Sequence, residues 1–187
     1  MKGIYLFLAD GFEETEAIAT LDVLRRGKVA VETVSMNEDP FVTGAHGVPF
    51  IADRLFVELT VEKASPEDVM IFPGGLPGAS NLAGNEELIT LMKAHYADGG
   101  IVAAICAAPG LVVSQLDGLQ GVRFTCYEGF QEALEKQGAI YERVPAVTCG
   151  NLVTGRGPGY AIDFGLAILS ALKGADTAAA VREGMFV

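Results

Sequence analysis

The sequence predicts an α/β protein, a mostly parallel sheet with helices on both faces. Three observations carry this prediction. Strand-like runs alternate along the chain with amphipathic helical segments. The strand-like runs are apolar on both faces, as strands buried inside a parallel sheet are. Three of them end in unusual turns, Asp10-Gly11, Pro73-Gly74-Gly75 and Cys106. The alternation places all three turns on one sheet edge, beyond the carboxyl ends of the strands, where such folds carry their sites. At 187 residues the chain is read as a single domain, 1–187.

Taken in order, Gly3 to Ala9 reads as a first, central strand and Asp10-Gly11 ends it. A helix follows from about Glu13 to Arg26, with Ala17, Thr20, Leu21 and Leu24 on one face and Arg25-Arg26 before Gly27 as its stop. Val29 to Ser35 is a second strand, and Val42-Thr43 and Val48 to Ile51 are short strands around the loop Gly44 to Gly47. Val69 to Phe72 is a buried strand, and Asn85 to Ala97 a helix in which Leu88, Leu91, Met92 and His95 recur at helical spacing. Gly100 to Ile105 is a strand leading into Cys106, and Pro109 suits the first turn of a helix continuing through Val113. Val122 to Cys126 predicts a short strand and Phe130 to Gln137 a helix. Ala146 to Cys149 and Leu152 to Thr154 form a hairpin about Gly150-Asn151. A long helix from Tyr160 to Leu172 and a short one around Ala178 to Glu183 complete the chain.

The composition excludes several functions. Lys and Arg number 13 against 24 Asp and Glu, a net charge of −11. So acidic a surface is a poor match for nucleic acid or an anionic membrane. No apolar run has membrane-spanning length. The chain enters a strand almost at once, without a signal-like segment, which predicts a cytoplasmic protein. Cys106, Cys126 and Cys149 are odd in number and widely spaced, suggesting neither a disulfide framework nor a zinc site. His46 and His95 are too few for a metal pair, so no metal or other cofactor is expected.

Cys106 is the residue around which the chemistry is organised. It sits where a strand becomes a helix, with the small residues Ala104 and Ala108 two positions before and after it, as a sharp nucleophile turn requires. A thiol at a helix N-terminus has its thiolate stabilised, so Cys106 is expected to titrate below an ordinary thiol. Glu13, Glu14 and Glu16 open the first helix. Helical spacing points Glu13 and Glu16 inward and Glu14 toward Asp22 and solvent. An inward carboxyl beside a thiolate has its pKa raised, and can donate a hydrogen bond to the sulfur. Spacing does not choose between Glu13 and Glu16. The Gly74-Gly75 turn offers backbone N–H groups that, with that of Ala107, would form an oxyanion hole.

Glu13 to Glu16, Pro73-Gly74-Gly75, Ala103 to Pro109 and Gly155-Arg156-Gly157-Pro158-Gly159 stand in an order and spacing that resemble the ThiJ/PfpI (DJ-one) superfamily, on its DJ-one/YajL branch. The resemblance covers essentially the whole chain. It implies a flavodoxin-like fold and a homodimer, makes Cys106 the reactive cysteine and Glu16 its carboxyl partner, and assigns Gly75 and Ala107 as main-chain donors. Two departures matter. The protease-like PfpI branch carries His directly after the cysteine, where this chain has Ala107. The DJ-one branch carries His at the position of Cys126. Cys126, as a resolving thiol, and His46, on a loop that in the family reaches the partner's site, are the accessory candidates.

The resemblance implies a cofactor-free, cysteine-dependent stress-response enzyme acting on small reactive carbonyls or on glycated protein, of glyoxalase or deglycase type. The alternative is a redox sensor or chaperone whose Cys106 is oxidised to the sulfinic acid. An amidase or peptidase is weakened by the absent His. A role in making thiamine precursors (thiazole phosphate) lacks a phosphate-binding loop.

Overall fold

The computed structural model describes residues 1–187. Its strands, in chain order, are β1 (Ile4–Leu8), β2 (Val31–Ser35), β3 (Phe41–Thr43), β4 (Pro49–Ile51), β5 (Arg54–Leu55), β6 (Val69–Phe72), β7 (Ile101–Ile105), β8 (Arg123–Phe124), β9 (Ile140–Tyr141), β10 (Ala146–Cys149) and β11 (Leu152–Gly155). The helices are α1 (Glu14–Arg26), α2 (Gly78–Ala83), α3 (Glu86–Ala97), α4 (Ala108–Leu111), α5 (Glu132–Glu135), α6 (Ala161–Lys173) and α7 (Ala175–Gly184). Seven strands form one sheet in the order β10-β11-β7-β6-β1-β2-β5, parallel throughout except for the β10–β11 hairpin. The expected flavodoxin-like architecture is what the chain adopts.

The central strands are fully covered. Every residue of β6 and β7 is buried, which is why both read as unbroken apolar runs rather than alternating ones. Phe7 of β1 stacks on Phe72 of β6 with ring centroids 5.4 Å apart. Each buried phenylalanine contributes about 1.5–3 kcal/mol through the area it removes from water. Helices α1 and α6 pack together on one face. Gly165 lets them approach: a Cβ there would lie 3.0 Å from Val23 Cβ. Helices α2 and α3 neighbour each other, and α2 also meets α4.

From β1 the chain steps outward to β2 on one side and later to β6 on the other. The strand order therefore reverses between β1 and β6, and the loops that follow these two strands border the crevice. Main-chain bonds tie those loops together. Glu13 N–H donates to the Gly74 carbonyl at 3.0 Å, and Gly78 N–H to the Gly11 carbonyl at 3.1 Å. Gly75, at φ +86°, leaves no room for a Cβ against the Glu13 N–H.

Several expectations are corrected. The helix after Cys106 is a single turn, followed by a 3-10 turn at Val113–Gln115. There Ser114 Oγ donates to the Gly110 carbonyl at 2.6 Å, a local bond that competes with helix continuation. The strand expected over Val122 to Cys126 is only Arg123–Phe124, and it pairs with β9 outside the main sheet. Beyond it the main chain turns to other partners: Thr125 N–H donates to Thr154 Oγ1 at 2.9 Å and Tyr127 N–H to the Cys106 carbonyl at 2.9 Å. The helix expected over Phe130 to Gln137 shrinks to one turn, α5. Strands β5 and β9 and helix α2 are additions.

Candidate active site

Cys106 lies immediately beyond β7 with φ +64°, one of three non-glycine residues at positive φ. A side chain in the left-handed region is strained, and such strain persists only where the surroundings enforce it. Here they do. Cys106 N–H donates to the Gly155 carbonyl at 3.0 Å, and the Cys106 carbonyl accepts from Tyr127. Ala104 and Ala108 are completely buried on either side. The sulfur is held between the loop after β6 and the first turn of α4.

Glu16 of α1, rather than Glu13, is the carboxyl that lies against it. Glu13 is spent as the N-cap of α1, its Oε2 accepting the Glu16 N–H at 2.7 Å. Glu16 is 1% exposed. Its Oε2 accepts the Gly74 N–H at 2.7 Å, while Oε1 has no nitrogen or oxygen partner. Gly74 is the spacer that lets thiol and carboxyl meet. A Cβ there would lie 2.6 Å from Cys106 Cβ and 2.7 Å from Glu16 Oε2.

Burial pushes Glu16 up to about 7, against the opposing effect of its hydrogen bonds with Cys106 and Gly74. For the thiol, burial together with the charge and hydrogen bond of Glu16 raises the pKa, and the N–H groups of Ala107 and Gly75 oppose this without overcoming it. The expectation of a lowered thiol pKa is therefore corrected. It rested on a helix N-terminus and on a hydrogen bond from a protonated Glu16; α4 is one turn long, too short to carry a sizeable dipole, and Glu16 acts to raise the thiol. What remains is a pair that holds at least one proton up to alkaline pH, with the main-chain donors of Gly75 and Ala107 aimed at the sulfur.

Of the accessory candidates, His46 lies away from the thiol, whereas Cys126 precedes Tyr127, whose N–H donates to the Cys106 carbonyl. His46, on the β3–β4 loop, has its side chain 73% exposed and is bound to Glu14, with Nδ1 at 2.8 Å from Oε2 and its N–H donating to Oε1 at 2.6 Å. Glu14 does not face solvent as helical spacing suggests; the loop folds over it and leaves it 8% exposed. Burial pushes Glu14 up, but hydrogen bonds from His46 and nearby main chain outweigh it and hold the carboxyl below its usual range. Glu13, Glu14 and His46 also bring three possible metal-ligating atoms close together, although one Glu13 oxygen and both Glu14 oxygens are already engaged. Cys126 is fully buried, and burial together with the Glu135 charge pushes its thiol up to about 12. All three cysteines are free thiols.

A cavity of about 350 Å³ is lined by Tyr127, Glu128, Arg156, Gly157, Pro158, Gly159 and Tyr160. In sequence the 155–159 segment stands out only through its likeness to the family. The signal available there was an arginine set among glycines.

Comparison with known proteins agrees with this geometry. The DJ-1/PfpI family model matches residues 2–171. Protein DJ-1 homolog B of Arabidopsis thaliana is 34% identical over 180 residues, which cover 96% of this chain but 40% of that protein. The chain thus spans less than half the length of that plant relative. Protein dj-1beta of Drosophila melanogaster is 34% identical over 187 residues, covering 100% of this chain and 97% of the relative. Its crystal structure superposes with a TM-score of 0.89 at 31% identity, covering 100% of this chain and 98% of that one. A protein of Caenorhabditis elegans named glutathione-independent glyoxalase DJR-1.2 is 34% identical over 173 residues, covering 92% of this chain and 89% of the relative. A strained cysteine elbow facing a buried glutamate, in a chain matched almost from end to end, makes this protein a member of the DJ-1/PfpI family.

Proposed function

We propose that this chain is a cofactor-free glyoxalase that converts small 2-oxoaldehydes to 2-hydroxy acids. The observation that carries the reading is the buried Glu16 carboxyl, hydrogen-bonded with the Cys106 thiol and with one oxygen, Oε1, left unpartnered. The related nematode protein bears the name of a glutathione-independent glyoxalase. In the reaction the Cys106 sulfur attacks the aldehyde carbon as Glu16, ionised, takes the thiol proton. Glu16 passes that proton to the carbonyl oxygen, and the product is a hemithioacetal. The carboxylate so regenerated removes a proton from the former aldehyde carbon, giving an enediol, and returns it to the adjacent carbon. This isomerisation yields a 2-hydroxy thioester, and water releases the acid and restores the thiol. The N–H groups of Gly75 and Ala107 stabilise the oxygen that carries charge during attack. The same chemistry, begun on an early carbonyl adduct of a protein side chain, is the deglycase variant of this reading.

The reaction needs the Glu16 carboxylate, so kcat/KM for methylglyoxal should rise about tenfold per pH unit below 7 and level off above it. Lactate formation measured from pH 5.5 to 8.5, in wild type and Cys106→Ser, tests the reading. Turnover that survives in Cys106→Ser removes the thiol from the mechanism.

A redox reading is favoured by the same oxygen. Protonated, Glu16 would donate to a Cys106 sulfinate, and intact mass after mild peroxide would show two added oxygens in wild type but further oxidation in Glu16→Ala. A homodimer is supported by the β3–β4 hairpin, which leaves Phe41, Val48 and Ile51 exposed, with Ile18 exposed on α1. Sedimentation of the wild-type chain checks it.

A further inference from the structure

We infer that the cavity bounded by Tyr127, Arg156 and Tyr160 is an anion-binding subsite, so that the carbonyl substrates of this chain carry a carboxylate. The inference rests on the glyoxalase reading for its substrate class, though not for the binding of the anion.

The cavity is joined to the elbow through main chain on both sides. Gly155, one residue before Arg156, accepts the Cys106 N–H, and Tyr127 donates to the Cys106 carbonyl. Cys106 is not itself in the cavity wall, but the wall residues Tyr127 and Arg156 are one main-chain bond and one residue removed from it. The cavity has the room: Gly157 and Gly159 contribute no side chains, and even a Cβ at Gly157 would come 3.2 Å from the Tyr127 ring.

Its charge is unusual for so acidic a chain. Arg25, Arg26, Arg54, Arg123, Arg143 and Arg182 each hold a carboxylate. Arg156 is half-buried, and its guanidinium has neither an ion pair nor a hydrogen bond within the protein. A guanidinium offers five donors in a rigid fork that matches a carboxylate through two parallel bonds. The one acidic residue in the cavity wall, Glu128, is already engaged by Arg143 at 3.0 Å. With Glu128 engaged by Arg143, which lies outside the cavity wall, Arg156 is left free for a ligand. The hydroxyls of the exposed Tyr127 and Tyr160 supply further donors.

A substrate that uses both halves of the site has a 2-oxoaldehyde at one end and a carboxylate a short spacer away. 4,5-Dioxopentanoate is a probe of this class. Its aldehyde would follow the same internal isomerisation, consuming one water and yielding 2-hydroxyglutarate with the distal carboxylate unchanged.

The test separates anion binding from turnover. Cys106 is alkylated with iodoacetate and with iodoacetamide in wild type, Arg156→Gln and Arg156→Lys, and the ratio of the two rates is compared. A charged hydrogen bond is worth roughly a tenfold preference or more, so the iodoacetate-to-iodoacetamide ratio should fall about tenfold in Arg156→Gln and less in Arg156→Lys. In wild type, 4-oxopentanoate should slow alkylation by iodoacetamide more than its methyl ester does, a measurement that needs no variant to fold. Wild type should also show a higher kcat/KM for 4,5-dioxopentanoate than for methylglyoxal, a preference lost in Arg156→Gln. Equal protection by acid and ester, with equal alkylation ratios in all three proteins, overturns the subsite and leaves the glyoxalase reading standing if methylglyoxal is turned over. A changed alkylation ratio without turnover of either aldehyde supports the anion subsite and overturns the glyoxalase reading.

Discussion

Glu14 and Glu16 stand two residues apart in the first turn of α1, and both are buried, at 8% and 1% exposure. Their ionisation moves in opposite directions. Glu14 is held below the usual carboxylate range and Glu16 is raised to about 7. The difference is one of hydrogen-bond supply. The β3–β4 loop gives Glu14 the His46 main-chain N–H and the His46 ring. Glu16 receives one N–H, from Gly74, and a hydrogen bond with the thiol, and leaves its second oxygen without a partner. Burial alone disfavours a carboxylate, and enough donors reverse that effect. One turn of helix thus carries two buried carboxyls whose ionisation is pushed in opposite directions.

The sharpest way to break this comparison is to neutralise each carboxyl in turn. Glu16→Gln keeps the shape but cannot accept a proton, so methylglyoxal turnover should fall by about 10²–10⁴-fold, the usual worth of general acid–base catalysis. Glu14→Gln should change it far less. Comparable losses in both variants would show that the two carboxyls are not divided between reaction and structure.

The next effect is on stability. The folded pKa of Glu16 lies above its unfolded value of about 4.5, so the folded state binds the extra proton between those limits. Stability from this group is fully present below about pH 4.5 and is lost as pH rises through about 7. A shift of this size corresponds to about 3 kcal/mol. Urea unfolding should therefore find Glu16→Gln more stable than wild type at pH 8 by up to about 3 kcal/mol, and close to it at pH 4.5. Parallel pH profiles would mean that Glu16 is not raised.

Gly74→Ala pushes the reactive pair apart. Its Cβ would meet Cys106 Cβ and Glu16 Oε2 inside ordinary contact distance, and overpacking of this kind costs about 1–3 kcal/mol. The variant should unfold at lower urea and lose the inflection near pH 7 in Cys106 alkylation. Retention of that inflection would show that the carboxyl influences the thiol without close approach.

How much of this was legible in the sequence follows from how local each signal was. The sheet edge could be read because β1, β6 and β7 are unbroken apolar runs closed by Gly-rich or Cys turns. The elbow could be read because Ala104 and Ala108 flank Cys106. The choice of Glu16 over Glu13 was not fixed by periodicity, since both face inward; Glu13 is removed by capping its own helix. Glu14 was misplaced because what covers it is a loop some thirty residues away in sequence. The thiol's pKa was misjudged because α4 stops after one turn, and burial then outweighs the main-chain donors. The segment from Val122 to Gly138 is less regular than its pattern suggests for a related reason: beyond Phe124 its main chain bonds to Thr154 Oγ1 and to the Cys106 carbonyl instead of a strand partner.

The smallest effect belongs to the His46–Glu14 pair. His46 is raised by its hydrogen bond with Glu14 and by the carboxylate's charge, and Glu14 is lowered. The sign differs for the two partners. The contribution of Glu14 is present above its unfolded pKa and lost as pH falls through the lowered folded value. That of His46 is present below its unfolded pKa and lost as pH rises through the raised one. The pair is therefore complete only in mildly acidic to neutral solution. His46→Asn leaves Glu14 the main-chain N–H but removes the charged ring, so the Glu14 pKa should move up toward its ordinary value, a shift that carboxyl NMR would follow directly. The ring lies at the surface and touches neither Cys106 nor Glu16, so alkylation of Cys106 should stay within about twofold of wild type, as expected of a surface substitution. A larger change would show that the β3–β4 loop communicates with the thiol. Repeating the measurement at low protein concentration would then show whether a second copy of the chain carries the effect, because only an intermolecular route is lost on dilution.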